Sequence, residues 1–287
     1  MSGMVSGPLA YASSFLEGHG GLRSWQYLFI IEGVPTIMLA VISYVFLFDD
    51  VNHVRWLTDE QKRWHSKMIA VGDEADHINR RSTRIADIWA AFTNWKTYAF
   101  STVFLTESAI LVSIAIFAPT LIAGFGFPLL TSQLLSAPPS VIASCTLLLA
   151  GVLDNRYNCR AFLIMIGFAI TSAAYALLLI LHQPWALYGA IMLSTTGIGL
   201  AVPPLVTWGA QSFENPTERA IALAIITSIG NTGGVIGSFL FPSTDAPVYY
   251  FGKGTNMVFA AVGAIVTAII WFFTRNERRN RKLTMDI

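Results

Sequence analysis

Charge is what this sequence has least of. Only 12% of its 287 residues are Asp, Glu, Lys or Arg, 54% are hydrophobic, and the mean hydropathy is +0.57. A soluble globular chain carries about 25% charged residues. Water is therefore excluded as the main solvent of this fold, and lipid takes its place. The net charge of +1 supplies no basic field for nucleic acid, so the useful electrostatic information lies in where charges sit. Cysteine is nearly absent. Cys145 in an apolar run and Cys159 in a short basic loop have the spacing of neither a metal site nor a disulfide framework. The five histidines fall in or beside polar segments, none with the i, i+4 spacing of a zinc-protease helix. No Gly-rich loop ends in Lys and Ser/Thr, which argues against a built-in ATPase. No Ser/His dyad lies in an apolar run, so an intramembrane enzyme lacks a catalytic constellation. No metal or cofactor is implied. No repeat of about 20 to 50 residues is legible, although a helix block can hide an inverted repeat as weak hydropathy symmetry. The opening MSGMVSGPLAYASSF is apolar without a preceding basic residue, unlike a secretory signal.

What is present is long apolar runs. A membrane-spanning helix needs about 20 predominantly apolar residues. Seven stretches qualify: Trp25 to Phe48, Tyr98 to Ile122, Leu134 to Leu153, Ala161 to Leu181, Pro184 to Trp208, Ala220 to Phe241 and Met257 to Thr274. An eighth, before Glu17, is too short and reads as a re-entrant segment or as a chain that starts inside a helix. Sorting the 18 Lys and Arg residues by the side each loop must occupy puts sixteen on one side: Arg55, Lys62, Arg63, Lys67, Arg80, Arg81, Arg84, Lys96, Arg156, Arg160, Arg219, Arg275, Arg278, Arg279, Arg281 and Lys282. Only Arg23 and Lys253 lie opposite. A missed or invented helix would swap the side of every later loop, so the split supports the count. By the positive-inside rule it also predicts a cytoplasmic carboxyl terminus.

The connector from Asp49 to Thr97 is the one long polar stretch. Within WLTDEQKRW, Thr58 and Gln61 have capping-box spacing, which predicts a surface helix from about Asp59. Further on, RRSTRIADIWAAFTNW places Ile85, Ile88, Trp89 and Phe92 at near-helical spacing. That pattern predicts an amphipathic helix along the membrane face, a linker without a ligand.

Ionisable groups inside a bilayer cost about 2.5 to 3.5 kcal/mol on insertion scales, so two carboxyls need a reason. Glu107, in FLTESAILVS, is a candidate proton-coupling or substrate-contacting group; the plainer reading is a protonated or hydrogen-bonded structural glutamate. Glu32, in FIIEGVPT beside Gly33 and Pro35, reads as a structural intramembrane residue that caps freed backbone or pairs with Arg23. Gly230 with Gly234, and Gly233 with Gly237, are small-xxx-small spacings that let a second helix approach closely. Asn231 and Thr232 between them are candidates for an interhelical hydrogen bond or for lining a solute path. In Ser194, Thr195, Thr196, Gly197 and Gly199, followed by Pro203 and Pro204, polar groups and helix breakers share one span. Broken helices near the midplane are where carriers tend to bind substrate, which makes Thr195 and Thr196 candidate contacts.

Several stretches together resemble the fungal anion:cation symporters of the major facilitator superfamily, which include allantoate and nicotinate permeases. GGLRSWQYLFIIEGVPT is similar to that family's entry into helix six, and WLTDEQKRW to the start of its central loop. FAPTLIAGFGF with TSQLLSAPP resembles the end of helix seven and the start of helix eight. GNTGGVIGSFLFP and the basic tail after WFFTRNERR resemble helix eleven and the end of helix twelve. GVLDNRYNCR, with Gly151, Asp154, Arg156 and Arg160, resembles the charged turn between helices eight and nine, which implies a gating latch; positive charge kept for topology is the simpler account. Glu107 departs from the family's pattern, so its role is not implied by the resemblance.

The resemblance implies an all-α membrane protein with the major facilitator superfamily helix bundle. It implies seven full transmembrane helices plus one partial, helices five to twelve of twelve, with helices one to four absent. Residues 1–48 would be the remnant of an N-terminal bundle, 49–97 the cytoplasmic central loop, and 98–287 the C-terminal six-helix bundle with a basic tail. The function implied is symport of a small organic anion, a nicotinate- or allantoate-like carboxylate, with a proton by alternating access. Glu107, Thr195, Thr196 and Asn231 are then the expected contacts, and Asp154 with Arg156 and Arg160 the gate. The expected setting is the plasma membrane. The expected partners are membrane lipid and either the missing N-terminal helices or another membrane protein. The rival reading is a non-transporting truncated protein or scaffold.

Overall fold

The computed structural model describes residues 2–46, 58–64, 85–213 and 215–285. Contacts divide the chain into two units, Ala12–Ile88 and Met1–Tyr11 with Trp89–Ile287. Seven helices of the described residues are long and apolar enough to cross a membrane: Ser24–Tyr44, Trp95–Gly124, Leu129–Tyr157, Arg160–Ile180, Pro184–Gln211, Pro216–Ser238 and Tyr250–Asn276. These are the seven expected from hydropathy. No strand occurs among the described residues. The short first segment is helix α1, Ser2–Ser14, whose 13 residues span only about 20 Å at 1.5 Å per residue.

In the smaller unit, α2 (Ser24–Phe46) carries apolar side chains on every face, and Ile37, Leu39 and Val41 are all exposed. A helix apolar all round and uncovered suits lipid. Pro35 removes one backbone donor, and the Thr36 hydroxyl donates back to the Glu32 carbonyl at 2.8 Å. The expected capping box forms as well: the Thr58 N–H donates to Gln61 Oε1 at 3.0 Å, and the Gln61 N–H to Thr58 Oγ1 at 3.4 Å. It opens a helical turn over residues 59–64. Residues 47–57 and 65–84, most of the connector, lie outside the described residues, with Arg55, Lys67, Arg80, Arg81 and Arg84.

The expected amphipathic segment is α3, Ile85–Thr93, with Ile88, Trp89 and Phe92 exposed and Ala91 buried. The Thr97 hydroxyl ties it to the next helix by donating to the Ala91 carbonyl at 2.9 Å. There follow α4 (Trp95–Gly124), α5 (Leu129–Leu135), α6 (Ala137–Tyr157), α7 (Arg160–Ile180), α8 (Pro184–Gln211), α9 (Pro216–Gly237) and α10 (Tyr250–Met285). Helix α4 packs on α9, α10 and α8; α7 packs on α8 and α10; and α6 packs on α8.

Glycine sets the closest of these approaches. A Cβ on Gly233 would lie 2.1 Å from the Leu105 carbonyl oxygen, and one on Gly237 would lie 2.4 Å from that of Ala109. The small-residue spacing read from the sequence is therefore the seam between α9 and α4. Between α7 and α8, Gly167 and Gly197 meet in the same manner, each against the other's carbonyl oxygen.

Two boundaries differ most from the hydropathy reading. The third span begins at Leu129 instead of Leu134, because the short helix α5 leads into α6, whose first turn takes Pro138 and Pro139 where their missing donors cost nothing. The last begins at Tyr250 instead of Met257, because Lys253 and Asn256, which lower the hydropathy there, are both buried within α10.

Candidate functional site

Helix α4 buries one face made by Phe100, Val103, Glu107, Ile110 and Ile114, at helical spacing. Phe100 meets Trp208 of α8 edge-on, with ring centroids 5.2 Å apart. Glu107 is 3% exposed, and its Oε1 has no hydrogen-bond partner. Its neighbours Thr106 and Ser108 are buried too, but the Thr106 hydroxyl donates to the Val103 carbonyl of its own helix. One carboxyl oxygen is thus enclosed without a hydrogen-bond partner, as are Gln133 Oε1 and Asn256 Oδ1 among the described residues.

The polar cluster of α8 behaves otherwise. Ser194 donates to Ile191, and Thr195 and Thr196 both donate to Met192, at 2.8, 2.9 and 2.8 Å. The helix is not broken. It runs continuously through Pro203 and Pro204, each removing one donor, while Thr207 donates back to the Pro203 carbonyl at 2.7 Å. Packing explains the continuity, since Gly197 lies on the Thr171 turn of α7 and Gly199 on the Ala143 and Thr146 turn of α6.

Asn231 stands on the exposed side of α9 with Thr232, away from the glycine seam. Thr232 donates to Ile229 of its own helix, so neither residue makes the interhelical bond considered for it. Among the described residues no hydrogen bond joins any two of Glu107, Thr195, Thr196 and Asn231. Glu32 is exposed on α2 and forms no ion pair with Arg23 among the described residues.

One end of the larger unit is organised around charge. Asp154, buried near the end of α6, accepts from Arg160 Nε at 3.2 Å, and Arg160 Nη1 also donates to Gln211 Oε1 at the end of α8. Asp154 therefore pairs across the turn with Arg160 and not with Arg156. The Asn158 αL cap reverses the chain here. Arg156 is left exposed, its guanidinium 5.8 Å from the Tyr157 ring centre. At the same end Asn94 Nδ2 donates to Glu218 Oε1 at 3.0 Å, joining the starts of α4 and α9, and Trp95 meets Phe273. Two cavities flank the charged turn. One of about 530 Å³ is lined by Leu147, Gly151, Asn155, Arg156 and Pro203; the other, of about 720 Å³, has Arg160, Trp208, Trp271 and Arg275 on its wall. Glu107 lines neither.

Sequence reasoning missed a second buried polar group. Asn256 of α10 is 0% exposed, and its Nδ2 donates to Ser113 Oγ at 2.8 Å and to the Tyr175 hydroxyl at 3.0 Å. It links α4, α7 and α10. Lys253, read as a loop cation, is 3% exposed, with its ammonium 5.5 Å from the Phe125 ring centre.

A bundle of apolar helices seamed by glycine, carrying buried polar groups and a charged turn at one end, defines an integral membrane protein of the polytopic helical class. A family profile described as the Major Facilitator Superfamily matches residues 1–238, and the chain belongs to that family. Among curated relatives it is 29% identical to the MFS-type transporter cnsO of Penicillium expansum, over 98% of this chain and 56% of that protein. It is 26% identical to a protein of Agrobacterium vitis named "Putative tartrate transporter", over 94% of this chain and 59% of that one. The chain thus spans a little over half the length of these relatives. In fold it is similar to the inward-facing, occupied crystal structure of a bacterial homologue of the human lysosomal transporter Spinster, with a TM-score of 0.57 and 14% identity. That match covers 95% of this chain and 65% of the other.

Proposed function

We propose that these helices belong to a secondary transporter that moves a small organic anion together with a proton by alternating access, in the manner of the anion:cation symporters. The observation that carries the reading is Glu107, a carboxyl enclosed in a membrane-spanning helix with an unpartnered oxygen. An ionised carboxylate without a partner in the bilayer costs about 2.5 to 3.5 kcal/mol. A proton or an approaching cation removes that cost, so occupancy and conformation become coupled at this residue. A tartrate name on two Agrobacterium vitis relatives supports a carboxylate as cargo. In this reading Thr195, Thr196 and Asn231 contact the solute in a conformation that releases the threonine hydroxyls from Met192. The Asp154–Arg160 pair, with Arg156, latches the cytoplasmic end. Residues 1–48 belong to one helix bundle and 98–287 to the other, in the plasma membrane with the carboxyl terminus in the cytoplasm.

The coverage of relatives favours a second reading, in which this chain transports only alongside further helices or another membrane protein and is otherwise a scaffold. Reconstitution into vesicles tests both. Saturable tartrate or nicotinate uptake, stimulated by an inward proton gradient and losing that stimulation in Glu107→Gln, is the expected result. Uptake whose gradient dependence survives Glu107→Gln removes the coupling assignment. No uptake by this chain, with uptake restored on co-expression of a second helix bundle, supports the scaffold reading.

A further inference from the structure

The cavity of about 720 Å³ at the charged end combines basic side chains with an apolar wall. Its wall joins the start of α7, the end of α8 and α10 near Arg275. Arg160 spends two of its five N–H donors on Asp154 and Gln211, which leaves three. Arg275 is exposed, with its guanidinium 5.1 Å from the Trp271 ring centre and no acidic partner among the described residues. The α7 amino terminus opens on the same space, and its N-cap, Cys159, makes no side-chain hydrogen bond to the first turn. Unspent amides at a helix start carry partial positive charge and favour an anion. No Asp or Glu lines the cavity. Below the polar rim the lining turns apolar: Phe162 is 61% exposed, and Met165, Trp208 and Trp271 continue the surface. Tryptophan and arginine at the end of a spanning helix mark the depth of lipid headgroups.

We propose that this cavity binds the headgroup of an anionic membrane phospholipid, with the phosphate between Arg275, Arg160 and the α7 amino terminus and an acyl chain along Phe162 and Met165. A basic pocket between spanning helices, walled by tryptophan and open to lipid, suits a phosphate that arrives with its own hydrocarbon.

The test uses the full chain in phosphatidylcholine vesicles, with a small fraction of either phosphatidylglycerol or phosphatidylcholine carrying brominated acyl chains, and reads quenching of tryptophan fluorescence. Brominated phosphatidylglycerol should quench more strongly at equal mole fraction. Arg275→Gln should reduce that preference roughly fivefold, the weight of one basic group near an anionic surface. Arg23→Gln, which removes the same charge from the other unit, should leave it unchanged, and Arg275→Lys should keep most of it. Excess inorganic phosphate should not compete, because the headgroup is held by its chain as well as by its charge. Equal quenching by both lipids overturns the proposal. So does an equal loss in Arg275→Gln and Arg23→Gln, or full displacement by inorganic phosphate, which would mean a site for free anions. Circular dichroism of each variant separates loss of binding from loss of fold.

Discussion

Two buried polar residues, Asn256 and Glu107, differ in how their polar atoms are met. Asn256 has its amide donors taken up by Ser113 and Tyr175 on two different helices, so it holds α4, α7 and α10 in one arrangement. Interhelical hydrogen bonds of this kind average about 0.6 kcal/mol and reach about 1.7. Asn256→Ala breaks two at once, although the Ser113 hydroxyl keeps its bond to the Ile110 carbonyl, so it should lower unfolding stability in detergent by about 1 to 2 kcal/mol. Tyr175→Phe should cost less, because the amide keeps Ser113. Equal losses in the two variants would show that the network is not centred on Asn256. Glu107 was legible in the sequence and Asn256 was not, for a physical reason. A carboxyl inside an apolar run stands out at once, whereas Asn256 abuts the run beginning at Met257 and looks like the end of a loop. Only its hydrogen bonds to residues more than 80 positions away draw it into the membrane. The pairing of Asp154 was equally hidden, since Arg156 and Arg160 are both close in sequence and the turn at Asn158 decides between them.

Among the elements, hydropathy located every span, and glycine spacing located a seam but not its partner. The seam of α9 meets α4 at Leu105 and Ala109, contacts that only the fold supplies. Gly233→Val would set a branched side chain where even a Cβ meets the Leu105 carbonyl at 2.1 Å. Backbone, unlike a flexible side chain, cannot swing aside, so the helices must separate. Overpacking of this kind typically costs about 1 to 3 kcal/mol. A thermal-unfolding measurement should place Gly233→Val well below the parent. Val235→Ala, on the exposed side of the same helix, should stay within about 0.5 kcal/mol of it. If the two variants melt alike, the seam does not hold the bundle. Helix α8 teaches the converse. Paired prolines and a run of hydroxyls suggested a break, yet each hydroxyl returns to its own helix, and α8 runs unbroken with glycine contacts to a neighbour on two sides.

At the scale of the whole molecule, the charge split is the property read most directly from sequence, and in the larger unit contacts reproduce it. Asp154 with Arg160 and Gln211, Asn94 with Glu218, and Trp95 with Phe273 all gather at one end. Phe117 with Phe241, and Gly124 against Pro247, gather at the other, where Lys253 is the basic residue. The alternation of helices therefore gives one basic end, and the positive-inside rule predicts that this end faces the cytoplasm. The native cysteines allow a direct check. Cys159 is partly exposed in the turn at the basic end, while Cys145 lies midway along α6. Maleimides react with thiolate, which forms in water and not among acyl chains. In sealed right-side-out vesicles a membrane-impermeant maleimide should therefore leave the protein unlabelled. After permeabilisation it should modify Cys159, and Cys159→Ser should abolish the signal while Cys145→Ala preserves it. Labelling of intact vesicles through Cys159 would put the basic end outside. The orientation argument would then fail even though the helix count stood, because counting spans fixes only which loops share a side, and the positive-inside rule alone says which side that is.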